Sequence, residues 1–205
     1  ATRRMIKQRL RDMPQSVVAE KSILIQDRVL GMEVWREAKA VGVFLSMPHG
    51  EAQTDRLIAD AFTGGKRVFV PKTVPDSNDM ELLEAGSLED IASFPRTTWG
   101  IPEPDLTNPI TGEPRPNAID VCPPLDAILV PGLGFDVHCG RLGRGKGFYD
   151  RYLSRLSERT GKMPALIALA FECQVLEGIP TTKDDIPVNY LVTEERIVEA
   201  RGSSA

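Results

Sequence analysis

The chain has 205 residues, a formal net charge of −4, and a composition of 41% hydrophobic and 26% charged residues. This balance is typical of a folded globular protein and excludes an intrinsically disordered chain. An acidic chain is poorly suited to non-specific nucleic-acid binding, which depends on a basic surface. No segment approaches the roughly 20 apolar residues that span a bilayer. We therefore expect small-molecule partners, with neither nucleic acid nor a membrane among them.

The cysteines indicate the compartment in which the chain works. Cys122, Cys139 and Cys173 are an odd number without the paired spacing of a metal site. This usage favours reduced thiols over the disulfide framework of a secreted protein. We expect a cytoplasmic monomer, or a mitochondrial protein if a transit peptide has been removed before Ala1.

The N-terminal part of the chain is predicted to be helical. Residues 2–13 carry apolar side chains at helical spacing among arginines and lysines. A second helix is expected to begin after Pro14, because proline suits the first helical turn. These helices, over residues 2–35, precede an α/β core over residues 40–200. We predict one domain over residues 1–205.

Short apolar runs alternate with helical patterns through the core. Residues 40–45 predict a strand, Thr54 is a candidate N-cap for a helix through Phe62, and residues 67–71 predict a second strand. A strand, a helix and a strand with short connections are typical of a parallel sheet. Further predicted elements are strands at 80–83, 127–130 and 165–170, a helix at 148–159, and a closing hairpin at 190–193 and 197–198. The sequence therefore predicts an α/β fold with an open, mostly parallel sheet and helices on both faces.

A proline-rich connection interrupts this alternation. Residues 95–124 contain eight of the sixteen prolines, which excludes a helix or a central strand there. Long ordered loops in compact domains are often functional. Trp99 lies in this connection, where its ring could stack on a flat heterocycle or cover the core.

The most informative segment is a glycine-rich turn over residues 140–147. It does not match the nucleotide-binding P-loop, because Gly147 stands where Ser or Thr should hold magnesium, and the spacing of the dinucleotide fingerprint also fails. Its four glycines nevertheless let backbone N–H groups approach a ligand, and the helix that follows offers its positive N-terminus. Arg141, Arg144 and Lys146 add three cations. A phosphate or nucleotide site is predicted; the alternative is a tight turn with solvated cations.

Two acidic positions are candidates for binding magnesium beside such a phosphate. Asp150 lies in the first turn of the predicted helix, where a carboxylate also stabilises the helix dipole. Magnesium is usually bound by one or two carboxylates together with phosphate oxygens. Asp184 and Asp185, before the last predicted strands, are a second source of carboxylates.

The amino-acid sequence of residues 129–153 resembles that of the 5-formyltetrahydrofolate cyclo-ligase family, also called methenyltetrahydrofolate synthetases. The segments that carry the resemblance most strongly are Leu129–Asp136, Arg141–Gly147 and Phe148–Leu153. Weaker similarity runs through Lys7–Arg11, Phe44–Met47, Glu51–Thr54, Trp99–Pro104 and Ala168–Phe171. The Arg144-Gly145-Lys146 sequence is closer to eukaryotic members than to bacterial ones, whereas Phe148 stands where many members have Tyr.

The resemblance implies an enzyme that converts 5-formyltetrahydrofolate to 5,10-methenyltetrahydrofolate with Mg-ATP, releasing ADP and phosphate. In the family's scheme the formyl oxygen attacks the γ-phosphate to give an iminium phosphate. N10 of the folate then attacks the activated carbon, and loss of phosphate leaves the methenyl bridge. Such chemistry needs positioning and charge neutralisation more than covalent catalysis.

The resemblance also implies roles for individual residues. The ATP site would comprise Arg3, Lys7, Arg141, Leu142, Gly143, Arg144, Gly145, Lys146, Gly147, Phe148 and Tyr149. The folate site would comprise Leu45, Glu51, Trp99, Arg144, Gly145, Lys146, Gly147 and Phe148, with the Glu51 carboxylate accepting from the pterin's donor groups. Arg144, Lys146 and Tyr149 would act in catalysis. Asp150 and Asp185 would bind magnesium, so that Asp150→Ala is expected to abolish turnover and leave the fold intact.

Two other functions fit the same residues. A catalytically silent module could bind folate or nucleotide without turnover, although the presence of Lys146, Asp150 and Asp185 argues against it. A sugar-phosphate isomerase or transferase could use the same phosphate loop without ATP. Dependence of turnover on Mg-ATP would separate the cyclo-ligase from both.

Overall fold

The computed structural model describes residues 2–182 and 184–200, and within these ranges it forms six α-helices and ten strands. The helices are α1 Thr2–Arg11, α2 Gln15–Gly31, α3 Glu33–Glu37, α4 Asp55–Thr63, α5 Leu88–Ser93 and α6 Phe148–Thr160. The strands are β1 Ala40–Gly42, β2 Arg67–Thr73, β3 Met80–Ala85, β4 Ala127–Val130, β5 Gly134–Asp136, β6 Arg141–Leu142, β7 Ala165–Leu169, β8 Val175–Leu176, β9 Tyr190–Val192 and β10 Ile197–Glu199. A 3₁₀ turn covers Glu172–Gln174.

Seven of these strands build the central sheet, in the order β10-β9-β7-β4-β1-β2-β3. The five inner strands are parallel, whereas β3 and β10 pair antiparallel at the two edges. A second, three-stranded sheet has the order β6-β5-β8. The predicted α/β fold, with its mostly parallel sheet and its closing hairpin, is confirmed.

Alternate residues along the inner strands point to opposite faces, so the sheet separates two hydrophobic clusters. The cluster on one face joins strand residues to α1, α2 and α4, and includes Ile6, Ile25, Val41, Leu57, Val68, Leu129 and Ile167. The cluster on the other face joins strand residues to α6, and includes Ala40, Phe69, Ile128, Tyr152, Leu153, Leu156 and Leu166. No helix within the described ranges combines the length and apolar character needed to cross a membrane.

Two local predictions differ from the structure. The first strand is shorter than residues 40–45, although the N–H of Val43 still donates to the carbonyl of Phe69 at 2.8 Å. Thr54 stands at the N-cap position of α4, but its side chain does not cap the helix. Its hydroxyl donates instead to the carbonyl of Phe44 at 2.8 Å. Thr54 is 1% exposed, so the buried carbonyl of a neighbouring segment takes the hydroxyl away from the helix end.

The sheet topology creates a place for a ligand. The connection after β1 passes through α4 to β2, and the connection after β4 passes through α6 to β7, on the opposite side. The connections that leave the carboxyl ends of the adjacent parallel strands β1 and β4 therefore run in opposite directions. In open α/β sheets, ligands bind in the crevice that forms at such a switch point.

The proline-rich connection is irregular but well anchored. Its Arg115 forms a bidentate ion pair with Asp90 of α5, with both N–O distances 2.7 Å. The same guanidinium donates to the carbonyls of Glu84 and Asp105. Both charged side chains are 5% exposed or less, so this buried pair holds the connection to the domain.

Candidate functional site

The glycine-rich turn leads directly into the N-terminus of α6. Gly145 has φ +113° and Gly147 has φ +67°, backbone conformations that favour glycine. Gly147 is the N-cap residue, so no side chain caps the first turn of α6. The N–H groups of that turn, with the positive end of the helix dipole, can receive an anion.

The three cations of the turn lie in different environments. Arg144 and Lys146 are exposed, whereas Arg141 is only 4% exposed and pairs with Asp150, with Nη2 and Oδ1 2.5 Å apart. The Arg141 guanidinium also lies 5.9 Å from the centroid of the Tyr149 ring. Arg141 is therefore not a solvated cation but part of a buried contact between β6 and the first turn of α6.

Glu51 is a buried carboxylate in the connection that follows β1. Its Oε2 accepts from the N–H of Met47 at 2.9 Å, and its Oε1 lies 3.4 Å from Nη2 of Arg144. Gln53 stiffens the same loop, because its side-chain amide donates to the carbonyls of Met47 and Glu51. The connections after β1 and β4 thus meet at the switch point, through two residues 93 positions apart in the chain.

Burial controls the protonation of the groups around this contact. Desolvation raises the pKa of the Glu51 carboxyl, opposed by the Met47 N–H and by the Arg144 charge. Burial, and then the nearby Glu51 charge, raise the pKa of Tyr149, whose phenol stays protonated and can donate a hydrogen bond. Burial likewise raises the pKa of the Cys139 thiol, which argues against a cysteine nucleophile beside the turn.

The chain segments that carry the two carboxylates predicted to bind magnesium are in contact. Asp150 Oδ1 accepts from Arg141 and, at 3.1 Å, from the N–H of Ile186, the residue after Asp185. Asp185 Oδ2 accepts from the N–H and the hydroxyl of Thr182 at 2.6 and 3.1 Å. Each carboxylate has its second oxygen free of hydrogen bonds to residues 2–182 and 184–200.

The donor chemistry at these carboxylates fits magnesium. Among the described residues, no three histidine, cysteine, aspartate or glutamate side chains meet as a ready metal site. Magnesium nevertheless keeps several waters and commonly takes only one or two carboxylates plus substrate phosphate oxygens. Carboxylate oxygens beside a helix N-terminus suited to phosphate provide that arrangement.

The other predicted residues fall into three groups. Arg3 reaches the turn, since its Nε donates to the carbonyl of Gly143 at 3.1 Å, whereas Lys7 is exposed on α1 without a hydrogen bond to the turn among the described residues. Leu142 is buried and Phe148 packs against the core, so both would serve the turn through their backbone. Leu45 lines a cavity beside the Glu51 loop.

Trp99 is 76% exposed and lies in a turn that packs against the Glu51 loop. A Cβ placed on Gly100 would lie 3.5 Å from the ring of Pro48, so the backbone of this turn is close to that loop. Of the two alternatives for Trp99, covering the core is wrong, because the indole is open to solvent. Its ring remains available for stacking.

Asp136 shapes the glycine-rich turn and was not predicted. Its Oδ1 accepts from the N–H groups of His138 and Gly140, both at 2.9 Å. A Cβ on Gly140 would lie 2.7 Å from Asp136 Oδ2, so a side chain here would displace the Asp136 carboxylate. An aspartate that precedes a glycine by a few residues is a common turn signal, and it could have identified this contact.

We expect Glu51→Gln to stabilise the fold at neutral and alkaline pH. Because the pKa of Glu51 is raised on folding, the stability this group contributes is complete below its unfolded pKa of about 4.3 and is lost as pH rises through the raised value. The melting temperature of the variant should therefore exceed that of the wild type at pH 8, with a smaller difference at pH 5. A difference independent of pH would show that the carboxyl is not the group responsible.

The chain is similar in sequence and in fold to proteins of one family. The model of the 5-formyltetrahydrofolate cyclo-ligase family matches residues 1–194. The 5-formyltetrahydrofolate cyclo-ligase of Mus musculus is 36% identical, covering 93% of this chain and 90% of the relative. A probable 5-formyltetrahydrofolate cyclo-ligase of Schizosaccharomyces pombe is 31% identical over 96% and 95% of the two chains. The NMR structure of Aquifex aeolicus 5,10-methenyltetrahydrofolate synthetase superposes with a TM-score of 0.75 at 26% identity, covering 100% of this chain and 93% of that one.

Proposed function

Because the chain belongs to the 5-formyltetrahydrofolate cyclo-ligase family, we propose that this enzyme converts 5-formyltetrahydrofolate to 5,10-methenyltetrahydrofolate with Mg-ATP, releasing ADP and phosphate. The observation that carries the proposal is the ion pair of Glu51 and Arg144. It joins a buried carboxylate suited to a pterin edge to a glycine-rich turn suited to phosphate. A folate and a triphosphate bound to these two loops would meet at the Arg144 side chain.

The bond changes occur at defined atoms. The formyl oxygen bonds to the γ-phosphorus while the bond from that phosphorus to the ADP oxygen breaks. N10 then bonds to the formyl carbon and releases its proton to water, and the carbon–oxygen bond breaks as phosphate leaves. Phosphorylation is needed because the oxygen of an amide-like formyl group is a poor leaving group.

At the folate end, Glu51 would accept hydrogen bonds from the amino and ring N–H groups of the pterin. The loop around this carboxylate is held by Gln53, so Glu51 is oriented before the substrate arrives. Tyr149, with its raised pKa, would donate a hydrogen bond rather than act as a base. Leu45 and Trp99 would border the ring and its linker.

At the phosphate end, the backbone N–H groups of residues 143–147 and the first turn of α6 would receive the phosphate oxygens. Arg144 and Lys146 are exposed and can move towards the charge that develops during transfer. Arg3, already bonded to the carbonyl of Gly143, would approach the nucleotide from α1. Arg141 has a different role, since its buried ion pair orients the Asp150 carboxylate.

Asp150 and Asp185 would hold magnesium through the carboxylate oxygens that accept no hydrogen bond from residues 2–182 and 184–200. When bound, the ion neutralises charge on the β- and γ-phosphate oxygens. The contact between the Ile186 N–H and Asp150 keeps the two acidic segments adjacent. This contact supports a shared site for the ion.

The first test is an absorbance assay for the conjugated methenyl product. Purified protein should form product from 5-formyltetrahydrofolate only when both ATP and magnesium are present. Omitting ATP, or adding excess chelator, should reduce the rate to background. Product without ATP would contradict the proposal. Folate binding without any product would also contradict it and would favour the silent binding module.

We also propose that the enzyme acts as a cytoplasmic monomer, with a mitochondrial location as the alternative. The cysteines support a reducing compartment, since Cys122, Cys139 and Cys173 are all free. Size-exclusion chromatography with light scattering, and fractionation of the producing cells, test the two statements separately.

A further inference from the structure

The cavity that Leu45 lines, beside the Glu51 loop, extends beyond the residues proposed to hold the pterin and the phosphates. It has a volume of about 300 Å³ and lies between the segment after β1 and the start of the proline-rich connection. Leu45, Pro48, Ile58 and Pro102 give it apolar walls. This size and lining are typical of a subsite for a small aromatic or aliphatic group.

The charges at this cavity come from two residues. Among the described residues that line it, Arg96 carries the positive charge and Asp55 the negative charge. Nη1 of Arg96 donates to the carbonyl of Gly100 at 2.8 Å. Its Nε and Nη2 form no hydrogen bond or ion pair with residues 2–182 and 184–200, so two nitrogens with three N–H groups remain available to an anion.

Arg96 stands on a hairpin that is already ordered. Its backbone pairs with Pro102, and the N–H of Gly100 donates to the carbonyl of Thr97 at 2.9 Å. Glu103, at the base of the hairpin, accepts from the N–H and hydroxyl of Thr73. An arginine held in this way loses little freedom when it binds a carboxylate.

The cavity is continuous with the loop that would bind the pterin. Gln53, which lines the cavity, is two residues from Glu51, so their backbones are at most about 7 Å apart. 5-Formyltetrahydrofolate carries its aminobenzoyl ring and then a glutamate at the end remote from the pterin edge. A substrate held at Glu51 would extend these groups across the apolar walls towards Arg96.

We propose that Arg96 binds a carboxylate of the glutamate tail of the folate substrate, with the aminobenzoyl ring against the apolar walls of this cavity. The inference rests on the proposed function. Asp55 lines the same cavity and weakens the attraction, so the two side chains act in opposite directions on substrate affinity. Arg96 is thus a specificity-determining residue and takes no part in the bond changes.

The test compares two substrates, 5-formyltetrahydrofolate and its dimethyl ester, in which both glutamate carboxylates are masked. We expect Arg96→Gln to raise KM for the free acid about five- to tenfold without changing kcat, and to leave KM for the diester unchanged. Arg96→Lys should retain part of the preference for the acid, and Asp55→Asn should lower its KM. The matched control Arg159→Gln removes an exposed arginine of α6 and should leave KM and kcat unchanged for both substrates.

Tryptophan fluorescence titration gives the dissociation constants of the acid and the diester, and therefore the ratio of their affinities, without turnover. An equal ratio of diester to acid affinity in wild type and Arg96→Gln would overturn the inference. An equal loss for both substrates would also overturn it, because Arg96 would then only stabilise its hairpin. If the wild type binds the free acid more tightly than the diester, Arg96→Gln loses this preference, and no product forms, then the proposed function fails and the role of Arg96 stands.

Discussion

Asp150→Asn is expected to reduce kcat about a hundred- to a thousandfold, the usual cost of removing one electrostatic contact to a transferred group. The carboxylate would bind magnesium beside the phosphates, and asparagine removes its charge but keeps an oxygen. That oxygen can still accept from Arg141 and from the N–H of Ile186. Initial rates measured over a range of magnesium concentrations give the loss, and higher magnesium should recover part of it.

Alanine at position 150 is the wrong replacement, although the sequence alone favoured it. Arg141 is buried, and Asp150→Ala would leave its charge without a partner, at a cost of roughly 3–5 kcal/mol. The expectation that the alanine variant keeps its fold therefore does not follow from this structure. For asparagine we expect the melting temperature to fall by about 2–8 °C, the shift that about 1–2 kcal/mol produces in a chain of this size.

Asp184→Asn is the matched control, because Asp184 is an exposed neighbour of Asp185 to which no role is assigned. It should keep the wild-type rate at every magnesium concentration. A wild-type rate in Asp150→Asn would remove Asp150 from the magnesium site. An equal loss in both variants would mean that general negative charge, rather than one ligand, supports the reaction.

The parts of the fold that follow from local pattern were accessible from the sequence. Short apolar runs predict the buried strands, and the helical pattern after the glycine-rich turn predicts α6. The boundaries were less accessible, because β1 ends where its pairing with β2 and β4 ends rather than where its apolar run ends. Thr54 shows the same limit, since a tertiary acceptor outweighs its propensity to cap.

The site depends on contacts that no local pattern contains. Three cations occur within six residues of the glycine-rich turn, and only the fold shows that Arg141 is buried while Arg144 and Lys146 are exposed. The contact between Glu51 and Arg144 joins the connections after β1 and β4, which the strand order brings together at the switch point. The family resemblance implied roles for both Glu51 and Arg144. Their contact, however, follows from the strand order. Arg96 had no sequence signal, because its cavity exists only where the hairpin packs beside the Glu51 loop.

The largest loss of stability is expected for Arg115→Met, which leaves the Asp90 carboxylate buried without its partner. Breaking such a pair costs about 3–5 kcal/mol, or roughly 6–20 °C in melting temperature. Arg115 also holds the connection that carries Arg96 and Trp99, so folate affinity should fall and proteolysis within residues 95–124 should accelerate. The control Arg159→Met breaks an exposed pair and should change stability by less than about 0.5 kcal/mol.

The pH dependence separates loss of the ion pair from loss of packing. The Arg115 guanidinium lowers the pKa of Asp90, so the stability from this pair is complete above the unfolded pKa of about 3.9 and is lost as pH falls through the lower folded value. The difference between wild type and Arg115→Met in free energy of unfolding should therefore be largest near neutral pH and shrink in acid. Adding Asp90→Asn to Arg115→Met should recover stability, because the amide can still accept from the N–H of Gly86. If the double variant is no more stable than Arg115→Met, and the difference from wild type does not change with pH, then the contact of the Arg115 guanidinium with the Phe94 ring accounts for the effect.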